Sequence, residues 1–153
     1  MQTRFSGDLD GFDRKIIEAL LDDGRMTVTD LAVRVGLSKT PCQVRLRRLI
    51  AEGYIRGFRA VIDPARLGVD HVAFIEARLS DTREAALAAF NAAVRAIPEV
   101  EECHMIAGHF DYLLKVRTAD IARYRAVLAE KISNLPFVAS TSTFVAMETI
   151  KER

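Results

Sequence analysis

The sequence predicts an α+β fold, with a small helical domain followed by a larger domain of helices and strands. In the first third of the chain, apolar residues recur at helical spacing in three stretches, each introduced by a capping residue. Alternating apolar and polar residues, the pattern of half-buried strands, begin only near residue 70. We therefore expect a three-helix domain over residues 1–54, a linker over residues 55–69 and a mixed domain over residues 70–153.

Composition indicates an ordinary globular protein without a membrane partner. Of the 153 residues, 50% are hydrophobic and 28% are charged. No stretch approaches the roughly 20 apolar residues of a spanning helix, and the first eight residues lack the apolar run of a signal peptide, so we expect a cytoplasmic protein. Cys42 and Cys103 are isolated and form no ligand pattern with the histidines, so we expect neither a disulfide nor a metal site. Cys42 is expected to be a packed thiol, with a redox sensor as the alternative.

The first helix is predicted from Leu9 to Asp23. Asp10 suits the N-cap, and Asp13, three residues later, completes a capping box. One helix cannot bury the apolar stripe that follows, so we expect it to pack against the next two helices. The stripe consists of Phe12, Ile16, Ile17, Leu20 and Leu21.

The next two helices form a helix-turn-helix pattern. A capping signal at Thr27 begins a short helix that ends at Gly36. The longer helix is predicted to begin at Thr40, because Thr40 suits the N-cap, Pro41 the first helical position and Gln43 the third position of a capping box. A short helix, a tight turn and a longer basic helix are typical of DNA-binding domains.

Basic residues are concentrated around that longer helix. Residues 34–59 contain seven Lys and Arg against one Glu, a net +6, which leaves −5 for the remainder of a chain whose total is +1. This segregation favours a surface that faces a polyanion, although two ordinary core helices with solvated arginines are the alternative. Residues expected to read base edges are Lys39, Thr40, Gln43 and Arg47, and those expected to contact phosphates are Arg45 and Arg48.

Residues 56–63 are rich in strand-forming residues and are followed by Pro64, which ends a strand. This pattern predicts a linker strand. Such a strand needs a partner, and the same strand of a second subunit offers one.

From residue 70 onward the pattern predicts the order β-α-β-β-α-β, a ferredoxin-like arrangement. Thr82 and Asp120 are expected to cap the two helices, and Gly108-His109 to form a two-residue hairpin that needs positive φ. Because both helices cover one sheet face, we expect a dimer through the other. The strands are expected at residues 72–79, 100–107, 110–118 and 138–148.

Two sets of residues match one family. The N-terminal set is Leu9-Asp10 with Asp13, Asp23-Gly24-Arg25, Leu31-Ala32, Val35-Gly36-Leu37-Ser38, Pro41, Arg45, Leu49 and Gly53-Tyr54-Ile55. The C-terminal set is Val100-Glu101-Glu102-Cys103-His104, Gly108-His109-Phe110-Asp111-Tyr112-Leu113-Leu114, Leu135-Pro136, Val138 and Thr141-Ser142-Thr143. On these residues the chain resembles the Lrp/AsnC family of bacterial and archaeal regulators, also called feast/famine regulatory proteins, over nearly its entire length.

The resemblance implies a transcriptional regulator rather than an enzyme. It implies a helix-turn-helix domain that binds double-stranded DNA, and a ligand-responsive domain that forms a homodimer and assembles to a tetramer or octamer. It also implies that a small effector, commonly an amino acid, binds between dimers, with no cofactor. Within the family, the chain is similar to the leucine-responsive branch and to activators of proline catabolism.

The resemblance also implies an effector site near Asp111. Asp111 suits the α-ammonium of an amino acid, while N–H groups at Gly108 and threonine hydroxyls suit the carboxylate. Without the resemblance, Gly108 is a turn glycine and Asp111 a residue that bonds its own turn. His109 departs from the residues common in the family, which leaves the effector open. The candidate residues are Met105, Gly108, His109, Asp111, Thr141 and Thr143.

Two rival functions stay open from the residues. One is a nucleoid-like architectural protein that binds DNA without an effector and with little sequence preference. The other is a small ferredoxin-like enzyme, although its only available group is Asp111, His104 and His109, which nothing spaces as nucleophile, base and acid.

Overall fold

The computed structural model describes residues 9–152, so the leader analysis of the first eight residues lies outside it. The chain divides into two compact units, with the division between Val61 and Ile62. Within residues 9–152, no helix combines the length and the apolar character needed to cross a membrane. The N-terminal unit contains α1 (Gly11–Asp22), α2 (Val28–Val35) and α3 (Lys39–Ala51).

The predicted start of α1 is confirmed in detail. The Asp10 carboxylate accepts hydrogen bonds from the backbone N–H groups of Phe12 (2.9 Å) and Asp13 (3.0 Å). Asp13 returns the bond by accepting from the Asp10 N–H at 3.2 Å, which completes the capping box. The buried face of α1 differs from the predicted stripe, because it is formed by Asp13, Ile16 and Ala19 while Phe12 is exposed. A charged side chain therefore lies on the packed face of the helix.

The turn between α2 and α3 has the predicted chemistry. The Thr27 hydroxyl accepts from the Asp30 N–H at 3.2 Å, and Gly36 ends α2 at φ +77°. That left-handed conformation favours glycine because it has no β-carbon. The core of the unit is formed by Leu9, Ile16, Ala19, Leu31, Ala32, Val35, Cys42 and Leu49.

The predicted start of α3 is wrong by two residues. The N-cap is Ser38, whose side chain makes no capping bond, and the Cys42 N–H donates to the Ser38 carbonyl at 3.2 Å. Pro41 is thus the third helical residue instead of the first. Proline fits there because the first N–H groups of a helix have no intrahelical acceptor, so its missing N–H costs nothing. Gln43 accordingly lies beyond the capping positions.

The linker strand is not formed in the single chain. The structure assigns no strand within residues 55–69, because a strand requires a hydrogen-bonding neighbour and this segment has none in one subunit. The linker ends in a turn in which the Leu67 N–H donates to the Pro64 carbonyl at 3.1 Å. Pairing with a second subunit stays a prediction.

The elements of the C-terminal unit are β1 (His71–Leu79), α4 (Glu84–Val94), β2 (Val100–Met105), β3 (Tyr112–Thr118), α5 (Ile121–Val127) and β4 (Val138–Val145). The four strands form an antiparallel sheet of order β2-β3-β1-β4, which confirms the ferredoxin-like prediction. Ile75, Leu114 and Phe90 lie in a core between one sheet face and the helices. A π-helical turn, Leu128–Ile132, extends α5.

One of the two predicted helix caps in this unit is confirmed. Asp120 caps α5 by accepting from the Arg123 N–H at 2.7 Å. The cap predicted at Thr82 is displaced, because the N-cap of α4 is Arg83. The Arg83 N–H donates to the Asp81 carboxylate at 2.9 Å, so Asp81 organises this turn.

The predicted two-residue hairpin is also wrong. Strand β2 ends at Met105 and β3 begins at Tyr112, and the Ile106 N–H donates to the Asp111 carbonyl at 2.8 Å. The loop closed by this bond has four residues, and Gly108 lies outside the glycines with positive φ. The Asp111 N–H donates to the Ala77 carbonyl at 3.0 Å. The end of this loop is therefore hydrogen-bonded to β1, and the connection between β2 and β3 is wider than a two-residue turn.

The other face of the sheet carries both aromatic and ionic side chains. Phe74 pairs in register with Lys115 of β3 and Phe144 of β4. Phe74 is 38% exposed and Phe144 is 55% exposed. Lys115 contacts Glu101 at 3.1 Å, so charged groups flank the aromatic pair. Exposed aromatic side chains on an otherwise ordered sheet indicate an interaction surface.

Candidate nucleic-acid interface and effector site

The residues predicted to read base edges lie on the first turns of α3. Lys39, Thr40 and Arg47 are exposed, and Gln43 is half-buried. An exposed helix N-terminus with polar and basic side chains is the part of a recognition helix that meets base edges in the major groove. The structure is therefore compatible with the predicted roles, which stay predictions for these four residues.

The residues predicted to contact phosphates are already paired within the protein. The Arg45 Nη1 lies 2.5 Å from the Asp10 carboxylate and 2.9 Å from that of Asp13. Arg48 pairs with the other Asp13 oxygen. Asp13 is 1% exposed, so its charge is compensated almost entirely by these arginines. Hydrogen bonds from the Asp13 N–H and from Arg45 hold the pKa of the Asp10 carboxyl below its ordinary value.

A third basic residue of the predicted cluster is also paired with α1. Arg34 on α2 lies 2.5 Å from the carboxylate of Asp22. Sequence analysis missed these pairs because the acidic partners precede the basic stretch by 12 to 35 residues. Four of the seven basic side chains make no ion pair within residues 9–152. These are Lys39, Arg47, Arg56 and Arg59.

Cys42 lies in the core of the helical unit. It is fully buried, and burial raises the pKa of its thiol. A buried protonated thiol is a poor nucleophile, because the thiolate is the reactive form. This environment favours a packed structural thiol over a redox sensor.

Asp111 and the loop before it lie against the end of β1. The Asp111 Oδ2 accepts from the Leu79 N–H at 2.7 Å, while Oδ1 has no hydrogen-bond partner among the described residues. The His109 ring lies 3.6 Å from the Glu76 carboxylate, and the His109 carbonyl accepts from Arg78 at 2.6 Å. Glu76 and Arg78 were missed as site residues, although their alternation along β1 places them on the same face.

The candidate threonines lie across β1 from this loop. Thr141 pairs with Ala77, whose carbonyl also accepts from the Asp111 N–H. Thr143 is two residues further along β4, and its hydroxyl lies 2.5 Å from the Tyr124 hydroxyl. Asp111 and Thr141 therefore lie on opposite sides of β1, both beside Ala77.

Met105 contributes to a different surface feature. It is exposed at the end of β2, beside Tyr112. It lines a surface cavity of about 390 Å³ together with Asn91, Arg95 and Cys103. None of the other candidate effector residues lines this cavity. Met105 therefore does not share this cavity with the other five candidates, in keeping with a site that the resemblance places between dimers.

Family models match both units of the chain. A winged helix-turn-helix DNA-binding model matches residues 9–56. A model described as the Lrp/AsnC ligand binding domain matches residues 72–153, more than half of the chain. The chain belongs to the Lrp/AsnC family. The predicted family, the regulatory function and the prediction that the protein is not an enzyme are thereby confirmed.

Relatives within the Lrp/AsnC family include named regulators. A "Proline dehydrogenase transcriptional activator" of Rhizobium radiobacter is 70% identical over 145 residues, 95% of this chain and 93% of the relative. A "Leucine-responsive regulatory protein" of Salmonella typhimurium is 43% identical, over 95% of this chain and 88% of the relative.

Solved structures of transcriptional regulators have the same fold. An AsnC family transcriptional regulator from Agrobacterium tumefaciens is 36% identical with a TM-score of 0.87, covering 94% of each chain. A Neisseria meningitidis transcriptional regulator, solved as a complex with L-Met, is 30% identical with a TM-score of 0.87. That match covers 95% of this chain and 94% of the regulator.

Proposed function

We propose that this Lrp/AsnC regulator activates a gene of proline catabolism and responds to proline. The observation that carries the proposal is the 70% identity to a relative named as an activator of proline dehydrogenase. The match spans nearly all of both chains, so it includes the recognition helix and the effector domain. A regulator of chromosomal genes acts where the chromosome is, so we propose that the protein acts in the cytoplasm.

DNA recognition is proposed to use the first turns of α3. Lys39, Thr40, Gln43 and Arg47 would contact base edges in the major groove. Glutamine pairs well with adenine and arginine with guanine, and each good pair contributes about 1–3 kcal/mol of discrimination. The exposure of Lys39, Thr40 and Arg47 supports this assignment.

Effector binding is proposed at the loop that precedes β3. The Asp111 Oδ1 atom is available for the ammonium of an amino acid, since Oδ2 already accepts from Leu79. Backbone N–H groups around Gly108, with the Thr141 and Thr143 hydroxyls, would take the carboxylate. His109 and Met105 would complete the site. Because the cavity that Met105 lines includes none of the other candidate residues, a second subunit is expected to close the site.

Assembly is proposed to begin with a dimer through the sheet face that the helices leave open. Phe74 and Phe144 are partly exposed there. Packing of this face against its copy removes apolar area from water. Further association of dimers, to a tetramer or octamer, would then create the closed effector sites.

The test is a panel of amino acids in thermal unfolding of the full chain. A ligand at a hundred times its Kd adds about 2.7 kcal/mol to native stability, so proline is expected to raise the midpoint by several degrees. A matched control is the Asp111→Asn variant. Its Oδ atom still accepts from the Leu79 N–H, but it lacks the charge that would pair with the ammonium, so the proline shift is expected to disappear.

Each other outcome has a meaning. A response to leucine with none to proline would reject proline and support a leucine-responsive regulator, the second candidate, which the 43% identical relative favours. A response to no amino acid, together with DNA binding of little sequence preference, would support an architectural protein. An unchanged proline shift in Asp111→Asn would remove Asp111 from the effector site.

A further inference from the structure

Arg45 is held by three side chains of α1. Its Nη1 lies 2.5 Å from Asp10 and 2.9 Å from Asp13. Its guanidinium carbon also lies 5.6 Å from the centroid of the Phe12 ring, within the range of a cation–π interaction. These three contacts hold the guanidinium against α1 and define where this side of α3 lies.

Arg48 is held one turn further along α3 by the same carboxylate. It pairs with the Asp13 Oδ2, while Arg45 takes Oδ1, so both oxygens of Asp13 are used. The Arg48 Nε is buried and has no hydrogen-bond partner in the described part of the chain. Two of the three guanidinium nitrogens of Arg48, Nε and Nη2, are therefore turned toward the protein, although the side chain as a whole is 40% exposed. A buried carboxylate is tolerated only with such partners, since an uncompensated charge is costly away from water.

We propose that Asp13 is a positioning residue for DNA recognition. Through Arg45 and Arg48 it fixes the rotation of α3 about its own axis and withholds both guanidinium groups from DNA phosphates. The proposal rests on DNA binding through α3 and replaces the phosphate contacts predicted for these two arginines. Charge-assisted bonds from one carboxylate to two points on a helix fix geometry as well as energy. The direction in which Lys39, Gln43 and Arg47 project depends on that geometry.

A phosphate contact and a positioning contact have different effects on DNA binding when they are lost. A lost phosphate contact weakens binding to all duplexes and reduces the slope of log Kobs against log salt by about 0.9. A lost positioning contact leaves that slope unchanged and reduces the preference for the correct sequence. The probes are a duplex selected by the wild-type full chain from a random pool and an unselected duplex of equal length.

The first comparison uses Arg45→Lys and Arg45→Gln. Lysine keeps a charge for a phosphate but lacks the planar guanidinium, whose Nη1 contacts both Asp10 and Asp13 while its central carbon lies 5.6 Å from the centroid of the Phe12 ring. We expect both variants to keep the wild-type salt slope and to lose about tenfold in the affinity ratio between the two duplexes, the value of one base contact. A slope that becomes shallower by about 0.9 in Arg45→Gln, with a normal ratio in Arg45→Lys, would overturn the proposal.

The second comparison uses Asp13→Asn with Asp22→Asn as its matched control. Both remove one acidic charge from α1, but Asp22 pairs with Arg34 of α2 and makes no ion pair with α3 among the described residues. Asp13→Asn is expected to steepen the salt slope by about 0.9 for each arginine that reaches a phosphate, and to reduce the affinity ratio. Asp22→Asn is expected to leave the ratio unchanged. Equal effects of the two substitutions would contradict a positioning role for Asp13.

Two further results are informative. If Asp13→Asn does not fold, the Arg45 variants decide the question alone. A wild-type chain that enriches no duplex from the pool would overturn sequence-specific DNA binding itself, whereas normal enrichment with phosphate-type effects at Arg45 would overturn only the positioning role.

Discussion

Phe137 has a backbone conformation that residues with a β-carbon rarely adopt. Its φ is +64°, and it is the one non-glycine residue with positive φ in the described range. Its carbonyl accepts from the Ser80 N–H at 2.8 Å and from the Ser80 hydroxyl at 3.2 Å. These bonds join the turn before β4 to the end of β1, one residue beyond the Leu79 N–H that binds Asp111. The strained turn and the candidate effector loop, which are distant along the chain, thus bind neighbouring residues at the end of β1.

We predict that Phe137→Gly is more stable than Phe137→Ala by about 1 kcal/mol. Both variants remove the ring and keep the carbonyl that binds Ser80, but only glycine adopts positive φ without a steric cost. The measurement is thermal unfolding of both variants beside the wild-type chain. If the two variants unfold at the same temperature, the left-handed backbone carries no cost at this position.

At the scale of single residues, sequence reasoning succeeded where the partners are close along the chain. The capping bonds of Asp10 and Asp13 follow from a spacing of three residues. The ion pairs of Asp13 with Arg45 and Arg48 were missed, because they join residues 32 and 35 apart. The count of charges over residues 34–59 led to the prediction that those arginines face solvent and DNA. Only the packing of α1 on α3 shows that their charges are compensated.

At the scale of elements, the type was predictable in both units, whereas the starts of the helices were predictable at α1 and α5 but not at α3 and α4. The stripes and alternations that define α1, α2 and β1 gave the correct elements, because burial depends on their periodicity. The start of α3 was predicted two residues too late, because Thr40 and Pro41 are also compatible with a helix that begins at Lys39. The N-cap is Ser38, although its side chain makes no capping hydrogen bond. The missing linker strand has a different cause, since its hydrogen-bonding partner is not in the same chain.

Alanine substitutions at Thr27 and Thr40 test which of the two threonines caps a helix. Thr27→Ala is expected to lower the free energy of unfolding by about 1 kcal/mol, because the Thr27 hydroxyl accepts from the Asp30 N–H at 3.2 Å. Thr40→Ala is expected to be neutral within a few tenths of a kcal/mol, because Thr40 lies inside the helix. Urea titrations of the full chain, followed by helical circular dichroism, measure both. A cost at Thr40 equal to that at Thr27 would restore Thr40 as the cap.

At the scale of the whole molecule, the family and fold were predictable while the closed site was not. Motifs in both units identified the Lrp/AsnC family, and its models match residues 9–56 and 72–153. Asp111 and Thr141 meet the same residue of β1, but Met105 lines a separate cavity. A site formed by several subunits leaves no complete pattern in one chain, because the enclosing surfaces come from different copies.

The sheet face that the helices leave open leads to a prediction about assembly. Phe74→Glu is expected to convert the proposed dimer to a monomer, because it would place a charge in the apolar contact between the two copies. Light scattering measures the mass. Val33→Glu is the control, since Val33 is exposed on α2, outside the sheet. A dimer of unchanged mass in Phe74→Glu would place the subunit interface elsewhere.

The bonds between α1 and α3 have a consequence for protein engineering. New operator specificities are commonly sought by exchanging the exposed residues of a recognition helix for those of another regulator. In this chain Asp13, Arg45 and Arg48 are joined by ion pairs, so a transplanted α3 that lacks the two arginines would leave the buried Asp13 carboxylate without a cation to compensate its charge. Exchanges that carry Asp10, Asp13, Arg45 and Arg48 together should therefore yield folded chimaeras more often than exchanges of α3 alone.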